Sequence, residues 1–163
     1  LKNSILAVII SAFCAYSYAD GNVDLSTKTK LETTVTFTSN YSIQGKITPV
    51  ATMGSGIIKH DTNLATVTAT TTGSDYWLIA GDETAADYNM PAFKWTVFGK
   101  NSHSPLKVYL NNQGEKDWGK FGGGDLDWRK YDNGAEVKLN VDGDQNVVAD
   151  EYALNVFIAA YQS

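Results

Sequence analysis

An all-β chain folded as a sandwich of two sheets is predicted from three observations. Short runs with apolar residues on alternate positions recur along the sequence, clusters of Gly, Asn, Asp and Ser separate them, and no stretch of useful length repeats apolar residues at helical period. Roughly seven or eight runs, each with one face to bury, need two sheets laid face to face. At this size an immunoglobulin-like arrangement is the commonest solution, with a barrel as the alternative closure.

Taken in order, the first element is a leader. Lys2 precedes the apolar run ILAVIISAFCAY, and Ser17 and Ala19 then stand where a signal peptidase reads, so cleavage before Asp20 makes residues 1–19 an export address. The run is too short to anchor the chain, since a spanning helix needs ~20 apolar residues. Phe13 before Cys14 does not suit lipoprotein processing. The remaining 144 residues make one domain, read as a 20–32 extension and a 33–163 sandwich.

The extension NVDLSTKTKLE has Val23, Leu25, Thr27, Thr29 and Leu31 on one parity and Asn22, Asp24, Ser26, Lys28, Lys30 and Glu32 on the other. It is a strand with one face to bury and no turn to fold it onto its successor. Strands follow at TTVTFT (33–38), YSIQGKITPV (41–50), LATVTAT (64–70) and DYWLIA (75–80). The next three bury one parity each: Phe93, Trp95 and Val97 in 93–99; Leu106, Val108 and Leu110 in 106–111; Val137, Leu139 and Val141 in 135–141. The threonines of 26–38 and 62–72 alternate with apolar residues and decorate strand faces.

The final run, ADEYALNVFIAAYQS, places Tyr152, Leu154, Val156, Ile158 and Ala160 on one face of a terminal strand. A turn at Asp142-Gly143 is expected to join it as a hairpin to the 135–141 strand. A strand this apolar needs a neighbour on each side, because an open edge presents unpaired N–H and C=O groups.

Composition narrows the function. Lys2 leaves with the leader, so 12 basic residues face 18 acidic ones without a basic cluster, which makes nucleic acid and anionic membrane poor partners. Cys14 leaves too, and an exported domain without cysteine must be held by packing alone. His60 and His103 stand apart from Cys or carboxylate at ligand spacing, and no G-x-S-x-G elbow occurs, so neither a catalytic residue, a metal site nor a cofactor is expected. Asp142, Asp144 and Asn146 have the spacing of a calcium loop, but Val147 replaces its glycine and Ala153 its closing acid. A turn is the better reading. Trp118, Phe121 and Trp128, beside Gly122–Gly124, are read first as packing at the end of the sandwich and second as a receptor-binding patch.

An extension that seeks a groove and a terminal strand that lacks a neighbour are complementary. With the segments TTVTFTSNYSIQGKITPV, FKWTVFGKNS and LDWRKYDNGAEVKLNVDG and the near-terminal Tyr161, they make the chain resemble the pilins of chaperone–usher fimbriae, in the Saf/Sef-like enterobacterial branch. The more usual AGxY of pilins reads Ala149-Asp150-Glu151-Tyr152 here. The resemblance implies an incomplete immunoglobulin-like sandwich completed by a donor strand from a neighbouring subunit, in a surface fimbrium that mediates cell adhesion. It implies a periplasmic chaperone, an outer-membrane usher, other pilin subunits and a host receptor as partners. Val23, Leu25, Thr27, Thr29 and Leu31 would be the donor residues, and Tyr152, Leu154, Val156, Ile158 and Ala160 the acceptor-groove strand. The competing class is a secreted monomeric carbohydrate-binding module, which the aromatics of 116–131 favour; a small secreted hydrolase lacks a catalytic set.

Overall fold

The computed structural model describes residues 21–163, and the leader read at 1–19 lies outside them. The chain divides into two units, Leu1–Phe37 and Thr38–Ser163. In the first, the described residues hold one 3-10 turn, Leu25–Thr27, started by Asp24, whose side chain accepts the Ser26 N–H. The second is all strand and turn: β1 (Ser42–Pro49), β2 (Gly56–Ile58), β3 (Asn63–Thr72), β4 (Tyr76–Ala80), β5 (Lys94–Phe98), β6 (Pro105–Leu110), β7 (Asp117–Gly119), β8 (Trp128–Asp132), β9 (Glu136–Val141), β10 (Gln145–Val147) and β11 (Phe157–Ala160).

Two sheets carry the domain, one of five strands in the order β1-β3-β9-β6-β5 and one of four in the order β11-β4-β8-β7, while β10 and β2 form a separate ribbon. The expected alternation is what builds the core. Trp95 and Val97 of β5, Leu106, Val108 and Leu110 of β6, and Val137, Leu139 and Val141 of β9 all point inward with Val67 and Ala69 of β3. From the second sheet Trp77, Ile79 and Tyr131 meet them. Each fully buried aliphatic side chain contributes roughly 1.5–3 kcal/mol. Two of the polar tips find partners at the margin: the Trp77 indole donates to the Asp132 carbonyl at 2.9 Å and the Tyr131 hydroxyl to the Asn111 carbonyl at 3.0 Å. Burial pushes the pKa of that phenol up to about 12.

Four expectations are corrected. TTVTFT is not a strand: residues 33–38 are exposed and lie in neither sheet, because an alternating pattern fixes which face wants burial but cannot supply a surface to bury it on. The Asp142-Gly143 turn is real, with Gly143 at φ 79°, but it leads to β10 on β2 instead of to the terminal strand. The terminal strand crosses to the other sheet and pairs with β4, Phe157 opposite Ala80. It is also shorter than its alternation. Upstream of Phe157 it runs past the end of β4, where the chain turns away at Asp82, whose carbonyl accepts the Ala85 N–H at 3.1 Å.

Candidate assembly groove and N-terminal segment

The two ends of the domain lie at sheet edges. Among the described residues β1 pairs with β3 alone and β11 with β4 alone, so each has a free edge there. They approach one another where Ile158 of β11 lies against Gly45 of β1, at a position where even a Cβ on residue 45 would collide with the isoleucine. Away from that contact the two sides part. A cavity of ≈ 620 Å³ opens between residues 49–55, which follow β1, and residues 147–154, which precede β11. Its floor is apolar, formed by Ile58, Leu64, Leu106, Val141 and Leu154.

The terminal run supplies one wall. Tyr152, Leu154, Val156, Ile158 and Ala160 are all half-buried, and the first four pack on the core, while Ala153, Asn155 and Phe157 between them are exposed. Of this parity Tyr152 and Leu154 line the cavity, Val156 and Ile158 pack on the core, and only the last part of the run is laddered. The run is fixed at its start by Asp150. Its carboxylate accepts the backbone N–H groups of Asn101 at 2.9 Å and Ser102 at 2.6 Å, and the Asn101 side-chain amide at 2.9 Å. The Ser102 N–H is the main cause holding the Asp150 pKa far below the usual carboxylate range. The Lys100 N–H donates to the Glu151 carbonyl at 2.9 Å, and Tyr152 bridges Gly99. Gly99 is required here, since a Cβ would stand 2.6 Å from the Asp150 carboxylate.

The N-terminal residues Val23, Leu25, Thr27, Thr29 and Leu31 are exposed. Leu25 and Thr27 sit in the 3-10 turn, so the even alternation of this stretch is interrupted. Beyond it, Val35 and Phe37 continue the same odd parity and are also exposed. They were missed as members of this set because they fall inside a run that looks, by pattern, like a strand of the domain.

The aromatics of 116–131 separate. Trp118, on the edge strand β7, is 53% exposed, so the core reading fails for it. Phe121 and Trp128 are half-buried. Phe121 and Tyr76 each meet Tyr161 edge-on, at 5.6 and 5.9 Å, and the Lys130 ammonium lies over all three rings, closest to Tyr161 at 4.7 Å. Strand β8 itself escaped the sequence reading because charged Arg129 faces the core beside Tyr131. Its guanidinium stacks on Phe93 at 4.2 Å and pairs with Glu115. His60 stacks on Tyr109 at 5.6 Å and its Nδ1 accepts the Gly143 N–H, a tie between two turns. Asp144 bonds to Lys59 and to the His60 N–H, and Asp142 to Lys94, so both carboxylates of the calcium-like spacing are engaged by the protein. Among the described residues no group of three His, Cys, Asp or Glu could hold a metal ion.

No protein-family model matches the chain, and no curated protein does. Solved structures do. The Salmonella SafD adhesin is 22% identical and aligns over 74% of this chain and 88% of its own at a TM-score of 0.60. The minor tip subunit HdaB of the E. coli Hda pilus is 18% identical over 73% and 82%, with a TM-score of 0.58. AggB, the minor subunit of aggregative adherence fimbriae type I from E. coli, is 21% identical over 71% and 83%, with a TM-score of 0.55. The sandwich of two sheets is the fold that this chain shares with fimbrial subunits.

Proposed function

We propose that this chain is an exported structural and adhesive subunit of a surface fimbrium, not an enzyme, and that it joins its neighbours head to tail by donor-strand exchange. One observation carries the reading. The same chain holds two free sheet edges with an apolar-floored cavity where they part and, before β1, an alternating apolar segment that lies in no sheet among the described residues. An added strand would satisfy the open backbone groups of both edges, while its alternate side chains would fill the groove and set the register. The contact joins two different surfaces, so it does not close on itself and propagates into a fibre. During export a periplasmic chaperone would occupy the groove, to be displaced at an outer-membrane usher by the next subunit's segment.

The test is the behaviour of the full chain alone against the chain carrying a second copy of residues 20–40 at its C-terminus behind a short flexible linker. The first should be degraded in the cell or aggregate as it is concentrated, staying monomeric only when dilute, and the second should run as a soluble monomer in gel filtration at any concentration. An unmodified chain that is already a stable monomer would favour the carbohydrate-binding module instead. That second reading rests on exposed Trp118, and loss of sugar binding in Trp118→Ala would be its signature.

A further inference from the structure

We infer that the inserting strand of this chain is Leu31–Phe37, with Leu31, Thr33, Val35 and Phe37 entering the groove of a second copy of the chain or of a like subunit. This rests on the donor-strand reading and specifies which residues carry it. Val23 to Thr29 then act as a leader outside the groove.

Exposure is the first argument. Leu31 is 91% exposed, Val35 72% and Phe37 92%. Three large apolar side chains on one parity within seven residues make a stripe that the described residues leave uncovered. The opposite parity, Glu32, Thr34, Thr36 and Thr38, is polar throughout and suits the solvent side of an added strand.

Local structure is the second. In the upstream stretch the Asp24 side chain accepts the Ser26 N–H at 2.9 Å, the Thr27 hydroxyl donates to the Asp24 carbonyl at 2.7 Å, and the Thr29 hydroxyl to the Thr27 carbonyl at 3.1 Å. These bonds stabilise a bend and compete with extended backbone. Residues 31–38 carry Thr, Val and Phe, which favour strands, and lie outside that turn.

Length and position are the third. Seven extended residues span roughly 23 Å, close to the reach of the eight-residue strand β1 whose free edge would receive them. The chain divides after Phe37, and only residues 38–41 separate it from β1. The segment thus stands ready to leave its own domain and enter another.

The experiment places the question on an appended copy, so that no substitution touches the domain. The full chain is given, behind a flexible linker at its C-terminus, a second copy of residues 29–40 or of residues 19–30. The 29–40 copy should yield a monomer with a melting midpoint raised by roughly 10 °C or more, and the 19–30 copy should leave the chain as it was. Within the 29–40 copy, Phe37→Arg should erase the gain and Thr36→Arg should keep it. If the 19–30 copy works and the 29–40 copy does not, or if Phe37→Arg keeps the gain, the assignment to Leu31–Phe37 is wrong while donor-strand exchange stands. If a copy of the whole of 20–40 also fails, the donor-strand reading itself falls.

Discussion

Asp150 shows what one side chain can do at the start of a groove wall. Its carboxylate holds residues 101 and 102 and thereby sets where the terminal run begins. Its folded pKa lies below the ordinary Asp value of about 3.9. Between those two values the unfolded chain binds a proton that the folded chain does not, so acidification there favours unfolding. The contribution is complete above about pH 4 and is lost as the pH falls toward the lowered value. Thermal melts from neutral to acid pH should therefore fall less steeply below pH 4 in Asp150→Asn than in the parent; equal slopes would remove this role. The tryptophans give a second contrast. Trp77 is fully buried with a bonded indole, and Trp77→Ala should cost about 3–5 kcal/mol in urea unfolding. Trp118→Ala should change the same measurement by no more than about 0.5 kcal/mol, because a half-exposed ring on an edge strand leaves no cavity. At Gly81 a methyl would stand 2.6 Å from the Tyr88 ring and against Trp95, and rigid rings cannot yield as a flexible side chain does. Gly81→Ala should destabilise by about 1–3 kcal/mol.

For whole elements, what could be read from the sequence follows a physical line. Strands β5 and β6 were legible because each buries one clean parity, and β3 and β9 because most of each does, with Leu64 and Asn140 buried out of step, so the pattern and the core say nearly the same thing. Strand β8 was not, since Arg129 occupies an inward position and is made tolerable by the Phe93 ring and Glu115, partners that come from distant parts of the chain. Strands β2, β7 and β10 have three residues each, too few to show a period. At the cavity, the alternation of the terminal run marked Tyr152 and Leu154 as inward, whereas the lining at 49–55 was not legible, since Val50 and Met53 stand among small and polar residues at no strand or helix period. Residues 33–38 were misread for the opposite reason: their strand pattern is sound, but neither sheet of the described residues takes them in. Amide exchange should expose this difference. In the isolated subunit the backbone N–H groups of residues 33–38 should exchange as fast as those of a peptide, while those of β3 and β9 in the middle of the five-stranded sheet should be the slowest. In assembled fibres residues 33–38 should join the protected set, and their continued rapid exchange would argue against insertion.

The molecule as a whole is a sandwich whose stability must come from packing, since residues 15–163 contain no cysteine. Reductant should accordingly leave assembled fibres intact, and their dissolution into monomers on incubation with a thiol would contradict this. Slow dissociation is instead expected from the work of withdrawing an entire buried strand.

The register of β1 on β3 bears on how such a fibre would take a pull. Eight consecutive pairs, from Ser42 opposite Thr72 to Pro49 opposite Ala65, tie the first strand of the sheet to the second. Their hydrogen bonds lie across the strand direction. In a fibre joined as proposed, tension passed down the backbone would reach β1 at Ser42 and act along its axis. It would load the ladder in shear, so that the bonds would have to give way together instead of opening in turn from one end. Stretched by flow or by an attached cell, each subunit would meet the load along the direction in which its leading strand is hardest to extract.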